Sequence, residues 1–176
     1  VNVLDLLDKN NVATIAVGKI SDIFNNKSIA VKVRTRDNLD GIMKLIDFAK
    51  GDFKGLLFAN LNDFDMLYGH RRDRVGYLKA LEEFNYYLPT FLKNLKEDDL
   101  FILTADHGND PTWKGTDHTR EYIPVMVYSP KFKYGKRLED RNTFADIGAT
   151  ILDNFGIKNE LGIGTSIFDE IKKDEE

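Results

Sequence analysis

Four short apolar runs divide this chain, at residues 12–17 (V-A-T-I-A-V), 55–61 (G-L-L-F-A-N-L), 100–104 (L-F-I-L-T) and 124–128 (P-V-M-V-Y). Each is too short for an ordinary helix and is bounded by turn-forming or polar residues, so each reads as a strand, the first three buried. The stretches between them carry helical spacing. Residues 1–9 set Val3, Leu4, Leu6 and Leu7 in the tail of an amphipathic helix that Asn10 and Asn11 end. Lys19 to Phe24 follow the first strand at its carboxyl end, residues 25–28 are turn-like, and 29–35 alternate enough for a strand or an extended excursion. Asn38 suits an N-cap for 39–50, which places Ile42, Leu45, Ile46 and Ala49 on one face. Asp73 can cap a long helix carrying Tyr77, Leu81, Phe84, Leu88, Phe91 or Leu92, and Leu95. Pro89 should kink or interrupt it, because proline removes the bond to the carbonyl of Asn85. Thr143 can cap 144–155, with Ile147, Ile151 and Phe155 in register, and the K-K-D-E-E tail should fray. Helix, short turn and strand in alternation predict a single α/β layer sandwich over residues 1–176.

At 176 residues the chain can bury one sizeable core. A formal net charge of −4 gives no reason to expect a nucleic-acid or anionic-membrane partner, so any phosphate chemistry must rest on a local cationic or metal site. With no cysteine, disulfides and thiolate–zinc sites are excluded; this fits a reducing cytoplasm. No apolar run approaches the roughly 18 residues of a spanning helix. The first residue is Val1, which suggests a piece of a longer chain.

Chemistry concentrates in the loops. The chain has only three histidines, His70, His107 and His118, and all fall there. The first two follow apolar strands with an aspartate close by: Asp65 precedes His70 by five residues, and Asp106 adjoins His107. A five-residue step is too wide for one helical turn but within reach of a loop. Adjacent residues in extended chain point apart, so Asp106 and His107 need a turned backbone to serve one ion, and Gly108 offers the freedom for it. Imidazole with carboxylate suits Mn, Zn, Mg or Fe, while the bland alternative is ordinary surface polarity. Two ions roughly 3.5–4 Å apart would clamp a phosphoryl group.

Asp110 and Asp117 can orient histidines or cap loops, and Trp113 can cover or simply steady its loop. Arg71, Arg72 and Arg74 stand at the start of the long helix, where cations oppose the helix dipole. That points to phosphate contact or pairing with Asp63 or Asp73 for this group, with Arg74 better read as solvated. Lys19, on the same sheet edge as the loops, is a candidate phosphate contact or a plain exposed lysine. Arg120 can pair with Glu121 or steady the His118 loop.

The segments T-A-D-H-G-N-D-P-T…G-T-D-H-T-R-E, N-D-F-D-M-L-Y-G-H-R-R-D, G-K-I-S-D-I-F and F-A-D-I-G-A-T-I-L-D-N-F-G resemble the bacterial phosphopentomutases of the alkaline-phosphatase superfamily. The resemblance spans nearly the whole chain. It implies a three-layer core with a mostly parallel sheet and two Mn ions, one on Asp65, His70 and His118, the other on Asp106 and His107. It also implies interconversion of ribose or deoxyribose 1-phosphate and 5-phosphate. In that family a metal-binding aspartate, a phosphorylated threonine and a sugar-holding cap come earlier in the chain, and the resemblance places all three upstream of Val1. The expectation is the C-terminal half of a catalytic core, without its nucleophile and inactive alone. Thr104, Thr112, Thr116 and Thr119 read as loop residues. The rival readings are a phosphate-monoester hydrolase of the same superfamily and a non-catalytic metal-binding fragment.

Ligation needs neutral imidazole, so protons compete with the ion. Titrating the chain with Mn²⁺ by calorimetry should show affinity falling below about pH 6.5; a constant affinity from about pH 8 to 5 would exclude histidine ligands.

Overall fold

The computed structural model describes residues 1–172. The tail expected to fray lies outside the described residues, apart from the backbone of its first lysine. Elements run α1 (Val3–Lys9), β1 (Ala13–Val17), α2 (Ile20–Ile23), β2 (Val31–Val33), α3 (Asn38–Lys50), β3 (Gly55–Ala59), a π-helical turn (Phe64–Gly69), α4 (Arg74–Asn94), β4 (Phe101–Thr104), β5 (Val125–Tyr128), α5 (Ala145–Asn154) and α6 (Phe168–Lys172).

The α/β class and the parallel central sheet are as expected. β1 lies between β2 and β3 and is parallel to both. Successive residues of a strand face opposite sides, so Leu56 and Phe58 share a face. That face packs on a cluster of Leu4, Leu6 and Leu7 from α1 and Leu152 from α5. Leu7 and Leu152 are wholly buried, as is Val17 of β1. On α3, Ile42, Ile46 and Ala49 are buried as the spacing requires.

Two details differ from the sequence-based expectation, the pairing of the last two strands and the cap of α3. β4 and β5 do not extend the parallel sheet but pair antiparallel with each other. Their connection contains no crossover helix, and a parallel return would need one. The N-cap of α3 is Asp37, whose side chain accepts from Asp40 N–H at 2.8 Å. Asn38 is the first helical residue instead, and it bonds a loop across the sheet edge. Of the two outcomes expected at Pro89, a kink or an interruption, the second does not occur: α4 runs through it. Of α4 only Ala80 is buried, and Leu81, one of its apolar positions, is 46% exposed.

Asp5 ties α1 to the turn before β2. Its carboxylate accepts from Ser28 Oγ at 2.7 Å, from Asn2 N–H at 3.0 Å and from Lys27 Nζ at 3.3 Å. These donors, the Ser28 hydroxyl foremost, hold its pKa at about 2 against an ordinary 3.8. A carboxyl whose folded pKa is depressed contributes stability above its unfolded pKa and loses it as pH falls through the folded value. Asp5→Asn should therefore melt below wild type at pH 7, and the gap should close as pH falls from 3.8 to about 2. Paired thermal melts across that window test it.

Candidate metal centre

Two loops at the carboxyl ends of strands build the site. The first follows β3, where Asp63 and Asn38 exchange bonds: Asp63 N–H donates to Asn38 Oδ1 at 3.0 Å, and Asn38 N–H donates to Asp63 Oδ2 at 2.8 Å. This pins the loop to the start of α3. The chain then winds into the π-helical turn, in which His70 N–H donates to the carbonyl of Asp65 at 3.0 Å. A bond from residue i to i+5 widens the turn beyond the α-helical 3.6 residues. Residues five apart thus come to one side, and His70 Nε2 lies 3.4 Å from Asp65 Oδ1. The five-residue step is a single turn of helix, not an open loop.

The second loop, residues 105–124, joins β4 to β5. Gly108 and Thr119 form an isolated antiparallel bridge, with Thr119 N–H donating to Gly108 O at 3.0 Å. The Thr119 hydroxyl accepts from Asp110 N–H and donates to Glu121 Oε2, both at 2.7 Å. The pinch stacks the rings of His107 and His118, their centroids 3.6 Å apart.

Asp65 Oδ1 is the meeting point. His118 Nε2 is 3.2 Å from it, His70 Nε2 3.4 Å and His107 Nε2 4.0 Å. His70 and His118 bring their Nε2 atoms within 3.1 Å of each other. His70 Nδ1 faces the Thr116 carbonyl at 2.5 Å, and His107 Nδ1 faces that of Gly108 at 3.1 Å. A carbonyl only accepts, so both Nδ1 atoms carry the proton and a neutral ring turns its Nε2 lone pair inward. Lone pairs converging on a carboxylate repel unless a proton or cation lies among them. Ligands 2.0–2.2 Å from a tetrahedral ion are spaced by about 3.4 Å. The triangle of Asp65, His70 and His118 has that size, and Asp65, His107 and His118 also offer donors within 4.8 Å of one another. The donor set fits a divalent cation.

Asp106 reaches the cluster through His107, its Oδ2 3.5 Å from Nε2. His107 thereby stands between the two expected ion sets, facing both Asp106 and Asp65. The backbone bends at Asp106 and His107 as required, but Gly108 has no left-handed φ. Its role is clearance: a Cβ there would sit 1.7 Å from Glu121 Oε2 and 2.6 Å from the Thr119 carbonyl. Lys19 Nζ contacts Met66 Sδ at 2.8 Å, which sets it beside the π turn. Arg71 is exposed.

Arg72 pairs with neither Asp63 nor Asp73. Asp73 caps α4 through Gly76 N–H, and Arg72 spends its donors on loop oxygens. Glu121 takes the Thr119 hydroxyl rather than Arg120. Asp110 caps its own loop: Thr112 donates hydroxyl and amide to Oδ1, and these two bonds hold the carboxyl below the usual range. Trp113 is exposed. Tyr77 packs on Phe64 of the π turn; burial raises its phenol pKa, helped by the charges of Asp110, Asp65 and Glu121. Sequence reasoning passed over Asn109, whose Nδ2 donates to Asp65 Oδ1 at 2.6 Å.

The profile of the Metalloenzyme superfamily matches residues 6–159, which takes in both loops and every donor in the cluster. The chain belongs to that superfamily. Its fold is similar to that of a phosphoglycerate mutase from Leishmania mexicana, solved at low cobalt concentration, with a TM-score of 0.67 and 18% identity. The match covers 93% of this chain and 38% of that one, so the chain spans little more than a third of the mutase's length. Superfamily membership and donor geometry together support divalent-metal binding by this member, at Asp65, His107 and His118.

Gly108→Ala should destabilise the fold by about 1–3 kcal/mol, since the Thr119 carbonyl is backbone and must shift. Chemical denaturation measures the loss, and an unchanged midpoint would show that the bridge gives freely.

Proposed function

We propose that the protein is a phosphopentomutase, interconverting (deoxy)ribose 1-phosphate and 5-phosphate, and that this chain is the metal-binding half of its core. The observation that carries the reading is the triangle of Asp65 Oδ1, His70 Nε2 and His118 Nε2, with sides of 3.1 to 3.4 Å. It lies in the segments whose order resembles that family, in a chain with the Metalloenzyme profile. In this reading Asp65, His70 and His118 hold one Mn²⁺ while Asp106 and His107 hold a second. Bound ions would supply charge to neutralise the phosphoryl group as it transfers.

The chain's own residues bind and orient. The Thr116 carbonyl fixes the His70 tautomer, the Gly108 carbonyl does the same for His107, and both imidazoles present Nε2. Lys19, beside the π turn, is offered as a phosphate contact. Arg71, exposed two residues beyond that turn, is offered as a second contact. A threonine outside this chain would carry the phosphoryl group, and a cap outside it would keep water from the intermediate. The partner is a pentose phosphate, with no nucleic acid or membrane involved, and the compartment is the cytoplasm. No described helix is long and apolar enough to cross a membrane.

The second reading is a hydrolase, in which water reaches the site: the His118 side chain is 47% exposed. A hydrolase of phosphate monoesters would use the same donors. The full-length protein with Mn²⁺ should convert ribose 1-phosphate to ribose 5-phosphate without releasing phosphate; stoichiometric release would establish the hydrolase. His118→Ala should cost more activity than the about 10–100-fold typical of losing a ligand's supporting partner, and wild-type rates in that variant would remove the triangle from the reaction.

A further inference from the structure

We propose that Arg72 and Asn109 are positioning residues that aim Asp65 and the His118 loop at the cation; the proposal rests on the metal reading of the site. Arg72 has a φ of 54°, a left-handed backbone that a non-glycine residue adopts when its surroundings impose it. Its guanidinium donates from Nε to Gly115 O at 2.6 Å and from Nη2 to Asp117 O at 2.6 Å. Nη1 serves Asn109 Oδ1 at 2.7 Å, Asp110 O at 2.9 Å and Gly69 O at 3.0 Å. None of these acceptors is a carboxylate. The cation is spent on neutral oxygens of the metal loops.

Arginine only donates, so the end of the Asn109 amide that faces it is Oδ1. The Nδ2 end must then face Asp65, where it donates to Oδ1 at 2.6 Å. That bond occupies one lone pair of the oxygen on which the three imidazoles converge and leaves the other for a ligand. The Gly115 and Asp117 carbonyls flank Thr116, the acceptor for His70 Nδ1, and Asp117 adjoins His118. One side chain therefore holds the end of the π turn, the amide that orients Asp65, and the segment whose Thr116 carbonyl orients His70 and which leads into His118.

Charge and geometry predict opposite signs here. Removing a positive charge near a cation site tightens cation binding by Coulomb's law alone. Losing the positioning weakens it, by about 10–100-fold for an outer partner of a ligand. The chain is titrated with Mn²⁺ at fixed pH, free ion is read from its paramagnetic resonance signal, and metal-free melting curves verify folding. Arg72→Met and Asn109→Leu should each weaken binding about 10–100-fold, and Arg72→Lys should weaken it too, because an ammonium keeps the charge without the fork. The double variant should lose little beyond the worse single, as expected for residues acting through one path. Asn109→Leu should do this with a near-native melting temperature, and it decides the matter if Arg72→Met does not fold. Wild-type or tighter binding in Arg72→Met or Asn109→Leu overturns the positioning role while the metal reading stands. A wild-type chain that binds no better than a His70→Ala/His118→Ala control removes both.

Discussion

The amide of His70 reaches back five residues to the carbonyl of Asp65, and the arrangement of the site depends on that one wide turn. With an α-helical bond the residue sharing a side with Asp65 would be Gly69, which has no side chain to offer. The π turn adds one residue, so the ring of His70 rather than a bare backbone lies over the carboxylate. π-helical turns occur mostly as single turns and often at functional sites. Here the reason is geometric: the extra residue converts a five-residue spacing into a shared face. The reciprocal Asn38–Asp63 pair anchors the turn at its start, and Asp73, capping α4, anchors the chain just beyond its end.

The second loop reaches the same point by another route. Twenty residues without a helix separate β4 from β5, so the two strands return antiparallel and the loop projects from one end of the pair. A loop of that length would be loose without cross-links. The Gly108–Thr119 bridge and the Arg72 fork divide it into shorter closed segments, and His107 and His118 stand on either side of the bridge. Both loops lie at carboxyl ends of strands, where open α/β sheets place ligand sites. The edge is supplied by topology, and the convergence of donors by hydrogen bonds.

Much of the fold was legible because the strands are apolar, β-branched or aromatic runs set off by polar turns; β1, β3, β4 and β5 fall within the runs that predicted them. Antiparallel pairing of β4 and β5 was missed by treating the runs as equal, although the lack of helical spacing between them was there to read. Leu81 is in register yet 46% exposed, because helical periodicity reports which residues share a face, not how deeply the rest of the chain covers it. The five candidate ligands were legible as residue types and through their resemblance, and the structure gathers them around Asp65 and His107. What holds them there was not legible. Nothing in D-M-L-Y-G-H marks a π turn except the five-residue step itself, and Arg72 looks like one of several surface cations until its neutral acceptors are seen.

Burial divides the molecule. Among the described residues, the fully buried apolar side chains come almost wholly from α1, β1, α2, α3, α5 and α6; β3, β4 and β5 contribute none and α4 only Ala80. Apolar burial is therefore densest around α1, β1, α3 and α5, while the half that carries the metal loops relies on partly buried contacts and on hydrogen bonds from Arg72, Asn109 and Thr119, each contributing about 1.5–3 kcal/mol where one partner is charged. A half stabilised in that way opens locally at lower cost than the core does. A ligand that engages donors from both loops stabilises that half in proportion to its own affinity, because it binds the closed arrangement and not the open one. Metal binding and loop order are then a single equilibrium. The weakly buried side of the fold is where a bound cation adds most, and there the donors of Asp65, His70 and His118 already stand within 3.4 Å of one another.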